Sequence, residues 1–419
     1  MASIQNLKID PDRLWDDLME TAKIGAAAKG GICRLTLSDL DAQVRGWFKS
    51  QTEALGCTVT VDDMGNMFAR RAGQRGVPPI AMGSHLDTQP TGGKFDGALG
   101  VLAALEALRT LHRAGYETFA PIEVINWTNE EGARFAPAMM ASGVFAGVFT
   151  REWAAARKDR SGETFDAALD KIGYHGSEPC GRHALSAFFE LHIEQGPYLE
   201  AEDKDIGIVT GVQAMRWYEV TATGRDCHAG TTPMRRRHDA LLAAARMVEA
   251  VDSYARRHAG AVGTVGLMEV KPGSPNVVPG EVFFTIDLRH PDAAVLDAIE
   301  SSLATVAAAI GADLGVEMSV KNIWTQPAVR FDAACVSAVR EAAAISGYSS
   351  REMISAAGHD AAYVARVAPA AMIFVPCRDG ISHNEAEDTS KAQCAAGAQT
   401  LLHAVLNYDR VLAERFSGK

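Results

Sequence analysis

The stretch from 78 to 131 constrains the fold more than any other part of the chain. PPIAMGSH (78–85) reads as a buried strand, GALGVLAALEALRTLHRAG (97–115) as a helix closed by Gly115, and PIEVINW (121–127) as the next strand. Strand, helix and strand joined by short connections predict an α/β domain with a largely parallel sheet. Polar groups collect just beyond the carboxyl ends of these strands, the edge at which open α/β sheets carry their sites.

The rest of the chain falls into line around that unit. Leu14, Leu18 and Ile24, then Leu40, Val44 and Phe48, recur at near-helical steps and predict helices ahead of it. A second texture begins near Val212, with strands at 216–225, 262–270, 280–290 and 314–324 and helices at 239–257 and 296–312. That order, β-α-β-β-α-β, is the ferredoxin-like split unit. After Gln326 the α/β texture resumes, with a helix at 333–346 and a strand at 370–376. The expected fold class is therefore a discontinuous α/β catalytic domain (1–212 and 330–419) with a mixed, mostly parallel sheet. Into it is inserted a ferredoxin-like α+β, lid-like domain (213–329).

Composition narrows the function. The 419 residues carry a formal net charge of -11, so nucleic acid and anionic membrane are not expected partners. No apolar run approaches the roughly 18 residues that a membrane span requires. The opening MASIQNLKIDPDRLWDDLMETAKIG lacks the basic, apolar, small-residue order of a secretory signal. Seven cysteines, never in a CxxC pair, fit a reducing compartment and predict a cytoplasmic protein.

Metal-binding side chains recur at element ends: His85 and Asp87 in GSHLD, Asp96 in KFDG, Glu130 and Glu131 after the 121–127 strand, His192 in ELHIEQG and His383 in GISHNEAE. Each has a plainer reading on its own, Asp96 as the N-cap of the 97–113 helix and the Glu-Glu pair as solvated charge. Together, three histidines and several carboxylates at one sheet edge suit Zn²⁺ or another borderline divalent ion. One tetrahedral ion could not use them all, whereas two ions sharing a carboxylate could. Competing motifs fail: there is no HExxH or GxSxG, TGGKF is not followed by Ser or Thr, and His192-Ile193-Glu194 lacks a matching PCxxC.

At this point the chain resembles the hydantoinase/carbamoylase amidases of the aminoacylase-like dinuclear zinc metallopeptidase clan. The stretches that carry the resemblance are GSHLDTQPTGGKFDGALGVLAALE, NWTNEEGARF, ELHIEQGPYLE, GRDCHAGTTPM, PNVVPGEV, DLRHP, SAAGHDA and PCRDGISHNEAE, in family order along nearly the whole chain. The resemblance implies an exopeptidase-like catalytic fold and two divalent ions, Zn²⁺ first, with Mn²⁺, Co²⁺ or Ni²⁺ as alternatives. It assigns His85 and His192 to one ion, Glu131 and His383 to the other, and Asp96 to both. It makes Asp87 the residue that orients His85, Glu130 the catalytic base and His228 the oxyanion donor, with Gln195, Asn276 and Arg289 on the substrate. The implied reaction is hydrolysis of an N-carbamoyl amino acid, including N-carbamoyl-β-alanine, to amino acid, ammonia and carbon dioxide. Allantoate hydrolysis and a non-catalytic metal-dependent binding protein are the alternatives, and Glu130 argues against the latter because ligand binding needs no proton shuttle. The implied assembly is a homodimer through the inserted domain.

Overall fold

Four strands form the parallel centre of a nine-stranded sheet: Ile122–Trp127, Ile80–His85, Ala187–Ile193 and Ala370–Val375, side by side in that order. The structure, a computed structural model, describes residues 4–417. Every residue of these four strands is buried, as expected of a parallel sheet covered on both faces. The helices Ala98–Arg113 and Lys391–Ser417 pack on the strands and on each other. The first of these helices is buried around almost its entire circumference. Met67–Arg71 pairs antiparallel with Ile122–Trp127 at one end, and Ile206–Val212 antiparallel with Ala370–Val375 at the other. Because the four central strands are parallel, residues 85, 127, 193 and 375 share one edge.

The chain divides into two compact units, Met1–Gly211 with Arg330–Lys419, and Val212–Val329. The second has its own antiparallel sheet in the order Met268–Lys271, Glu281–His290, Ala214–Thr223 and Glu317–Gln326. Its long strand alternates strictly, burying Val282, Phe284, Ile286 and Leu288 under the helices Ala240–Arg257 and Ala293–Leu314. The single strand expected at 262–270 is two, Val262–Thr264 and Met268–Lys271, both paired to Glu281–His290. Thr264 faces Asp287 and Met268 faces Phe284, so one strand spends an extra residue over the same distance, and the bulge breaks the ladder.

One expectation needs correction. The helix Ala293–Leu314 is, among the described residues, long and apolar enough to cross a membrane by length and composition. It passes that test although Asp297 and Glu300 interrupt its apolar residues. One face, with Leu296, Ile299, Leu303, Ala307 and Ile310, is buried in the core of its unit.

Candidate metal centre

His85 closes its strand and His192 lies one residue from the end of its own, so both rings reach the shared edge. Both are 1% exposed and both are fixed by backbone carbonyls. His85 Nδ1 donates to the Asp87 carbonyl at 2.9 Å, and His192 Nδ1 donates to the Ile193 carbonyl at 2.9 Å. A carbonyl only accepts, so Nδ1 carries a proton in each ring, and these carbonyls select the neutral tautomer whose lone pair on Nε2 can bind a metal. His192 Nε2 accepts the Gly97 amide at 3.2 Å, whereas His85 Nε2 is buried without a hydrogen-bond partner. A buried, unpartnered lone pair is what a metal ligand looks like without its ion.

Asp96 faces both histidines with one oxygen and a second set of ligands with the other. Its Oδ1 lies 3.5 Å from His85 Nε2 and 3.1 Å from His192 Nε2; its Oδ2 lies 3.5 Å from His383 Nε2. His383 Nε2 is in turn 3.3 Å from Glu131 Oε2. Ligands held at ~2.1 Å around a tetrahedral ion stand about 3.4 Å from one another. The four histidine–carboxylate distances above match that spacing, and the ligand atoms of two triplets sharing Asp96, His85-Asp96-His192 and Asp96-Glu131-His383, lie within 4.8 Å of one another.

Electrostatics point the same way. Burial raises the Glu130 carboxyl far above its ordinary pKa, with the Asp360, Glu131 and Asp96 charges adding to it and His85 opposing. Burial and the Asp96 charge likewise raise Glu131. Burial also works against the His85 imidazolium, but the Glu130, Asp96 and Asp87 carboxylates outweigh it and hold the ring's pKa high. Buried carboxylates are thus concentrated beside the imidazoles at this edge, a set of charges that divalent ions would neutralise. Glu130 stands beside this set, with its Oε2 3.4 Å from His85 Nε2.

Several expected roles look different in the structure. Asp96 is not a helix N-cap: Gly97 occupies that position, and no side chain caps the helix. Asp87 meets the His85 ring chiefly through its carbonyl, its carboxylate lying 3.7 Å away. That carboxylate instead accepts the Glu130 and Glu131 amides, both at 3.3 Å, and so shapes the turn that carries them. Gln195, assigned to substrate, has φ 58°, and its Nε2 points back to Asp96 Oδ2 at 2.9 Å.

In the second unit, His228 pairs across a two-residue ladder with Val277, which brings Asn276 alongside it. His228 Nδ1 accepts the Gly230 and Thr231 amides at 2.9 and 3.2 Å, so its proton sits on Nε2. This is the opposite tautomer to that of His85 and His192, and it makes His228 a donor. Arg289 holds Asp287, two residues earlier on the same strand face, with contacts of 2.8 and 3.1 Å.

Sequence reasoning missed the supports of this centre. The buried Arg34 donates from Nε to the Leu86 carbonyl, between His85 and Asp87, and burial lowers its guanidinium to about 10. Gln89 holds Glu131 with its amide and side chain at 3.0 and 2.8 Å. Glu387, four residues after His383, accepts the Phe95 and Asp96 amides. The signal for Glu387 lay in the NEAE stretch, but a carboxylate that binds backbone leaves no spacing rule to read.

The family model for peptidase family M20/M25/M40 matches residues 81–407. An N-carbamoyl-L-amino-acid amidohydrolase from Rhizobium meliloti is 52% identical over 404 residues, covering 96% of this chain and 97% of that protein. An allantoate amidohydrolase from Bacillus subtilis is 36% identical and covers 91% and 93%. A crystal structure of a hydantoinase/carbamoylase family amidase from Burkholderia multivorans superposes with a TM-score of 0.90 at 56% identity, covering 96% and 98%.

Proposed function

The chain belongs to peptidase family M20/M25/M40, and from that membership and its metal centre we propose that it is an N-carbamoyl-L-amino-acid amidohydrolase. It is a hydrolase of carbon–nitrogen bonds other than the peptide bond of its family name. The observation that carries the reading is the pair of ligand triplets sharing Asp96, with the Glu130 carboxylate beside them. We assign Zn²⁺ to both triplets because the donors are imidazole and carboxylate with no thiolate. When bound, such ions polarise a carbonyl and supply hydroxide near neutral pH.

The remaining chemistry belongs to side chains of this protein. Glu130 takes a proton from the attacking water and delivers it to the departing ammonia nitrogen. The carbamate that remains loses carbon dioxide and frees the amino group. His228 presents Nε2–H to the oxygen on which negative charge develops, a role for which its tautomer is already set. Arg289 holds the substrate carboxylate as a planar fork, and Asn276 contributes a polar contact beside His228. Gln195 touches substrate only to the extent that it leaves Asp96. We also assign the Val212–Val329 unit to lid and dimerisation roles. Its edge strand Glu317–Gln326 is largely exposed, which leaves main-chain groups for a second copy. Seven free cysteines favour the cytoplasm.

A panel of N-carbamoyl-L-amino acids, N-carbamoyl-β-alanine and allantoate, assayed for ammonia release before and after chelation, tests the reading. N-carbamoyl-L-amino acids should be turned over fastest, and only by metal-loaded protein. Preference for allantoate would move the protein to the activity of its Bacillus subtilis relative, and turnover unaffected by chelation would refute the metal assignment.

A further inference from the structure

Glu387 is 5% exposed and has no place in the chemistry above, yet each of its oxygens reaches the shared ligand Asp96. Its Oε1 accepts the Phe95 and Asp96 amides, each at 3.0 Å, and so fixes the backbone of Asp96. Its Oε2 meets the Ser382 hydroxyl at 3.0 Å, and the same hydroxyl lies 3.0 Å from Asp96 Oδ2. Ser382 precedes His383. The segment 382–387 therefore supplies a metal ligand and two groups that bind the neighbouring ligand.

The packing leaves the carboxylate nowhere else to go. A Cβ on Gly93 would lie 2.0 Å from Glu387 Oε1, so the 92–96 loop passes against the carboxylate at a distance only glycine allows. His383, by contrast, is held loosely. Its side chain is half exposed, and its contacts are Asp96 and Glu131. Ser382 and Glu387 tie its segment to Asp96, and Gln195 Nε2 adds a further tie, lying 2.9 Å from Asp96 Oδ2 and 3.1 Å from the Ser382 hydroxyl.

We propose that Glu387 is a positioning residue that clamps the Asp96 loop to the His383 loop and so keeps the Asp96-Glu131-His383 triplet in register for its ion. The inference rests on the metal-centre reading. It bears chiefly on that triplet: Asp96 is shared, but His85 and His192 are fixed by their own strand ends, whereas His383 depends on the clamped segment.

Glutamine at 387 preserves the clamp: its Oε1 accepts the two amides and its Nε2 donates to the Ser382 oxygen, which leaves the single hydroxyl proton for Asp96. Glu387→Ala removes it. Ions per chain and Zn²⁺ affinity are measured on the full-length protein by elemental analysis and competition with a chromophoric chelator. Wild type should retain two ions under mild chelation. Glu387→Ala should retain one, with affinity for the other about 10–100-fold weaker, the usual cost of losing a ligand's support. Glu387→Gln should stay within a few-fold of wild type. Gly93→Ala, which displaces the carboxylate without removing it, should repeat the loss and serves if Glu387→Ala does not fold. Two ions held at wild-type affinity in Glu387→Ala or Gly93→Ala, equal weakening of both ions, or no rescue by glutamine would each overturn the clamp. Wild type that binds no ion would instead overturn the metal centre itself, and wild type that binds two ions without hydrolysing carbamoyl substrates would overturn only the substrate assignment.

Discussion

Gly97 is the position at which a single methyl group should dismantle the metal centre. The residue has φ 65° and ψ -49°, and the Ala98 amide reaches back to the Asp96 carbonyl at 2.6 Å, which makes a γ-turn between a metal ligand and the first turn of a helix. A side chain in that conformation costs roughly 1–3 kcal/mol of backbone strain. The larger effect is steric. The Cβ would lie 2.3 Å from His85 Cε1 and 2.4 Å from Nε2, where ordinary contact begins at 3.4 Å. The ring would have to retreat by about 1 Å, several times the ±0.2 Å within which a ligand distance serves a metal. It cannot do so freely, because its Nδ1 is bonded to the Asp87 carbonyl and the ring is buried. Gly97→Ala should therefore fold with stability lowered by about 1–3 kcal/mol and lose at least 10–100-fold in affinity for the ion at His85-Asp96-His192. Turnover should fall with occupancy. Thermal unfolding of the chelated protein reports the strain, and metal titration reports the ligand. A variant that binds two ions at wild-type affinity with wild-type kcat would refute the reasoning, since the methyl would then have been accommodated without moving His85.

Three further outcomes follow from the same geometry. Glu130→Gln should keep both ions and lose about 10²–10⁴-fold in kcat, because only proton transfer is removed, whereas Glu131→Gln should lose occupancy at the His383 side; elemental analysis beside steady-state kinetics separates them. Arg289→Met should cost about 2–5 kcal/mol in kcat/KM and abolish the preference for a carboxylate over its neutral amide analogue, while retained discrimination would give Arg289 a structural role beside Asp287 in place of substrate binding. Burial pushes the Asp62 carboxyl up to about 6. Its raised folded-state pKa means a stabilising contribution that is complete below about pH 4 and lost as pH rises through about 6. Denaturant unfolding of wild type should lose stability relative to Asp62→Asn across that window, and parallel pH profiles would contradict it.

Local pattern was sufficient for much of this. Apolar runs of strand length, a helix between them and polar residues after each run place His85, Glu130, Glu131 and His192 at one sheet edge before any coordinate is known, because parallel strands joined through helices must end on the same side. Alternation along 281–290 likewise identifies the second unit's sheet, since a strand with one covered face repeats every two residues. Other features depended on residues far apart in the chain. Which oxygen of Asp96 faces which histidines, and whether Asp87 works through its carboxylate or its carbonyl, depends on loops from 87, 96, 130 and 383 meeting in space. The tautomers of His85 and His192 depend on which carbonyl each Nδ1 reaches, and the donor state of His228 on a turn closing over its ring. Glu387 recognises backbone amides 292 and 291 residues away, and amides carry no sequence signature. The identities of the ligands are a property of the sequence; their angles, protonation and support are properties of tertiary packing, because backbone hydrogen bonds and steric fit take their partners from distance in space and not from order along the chain.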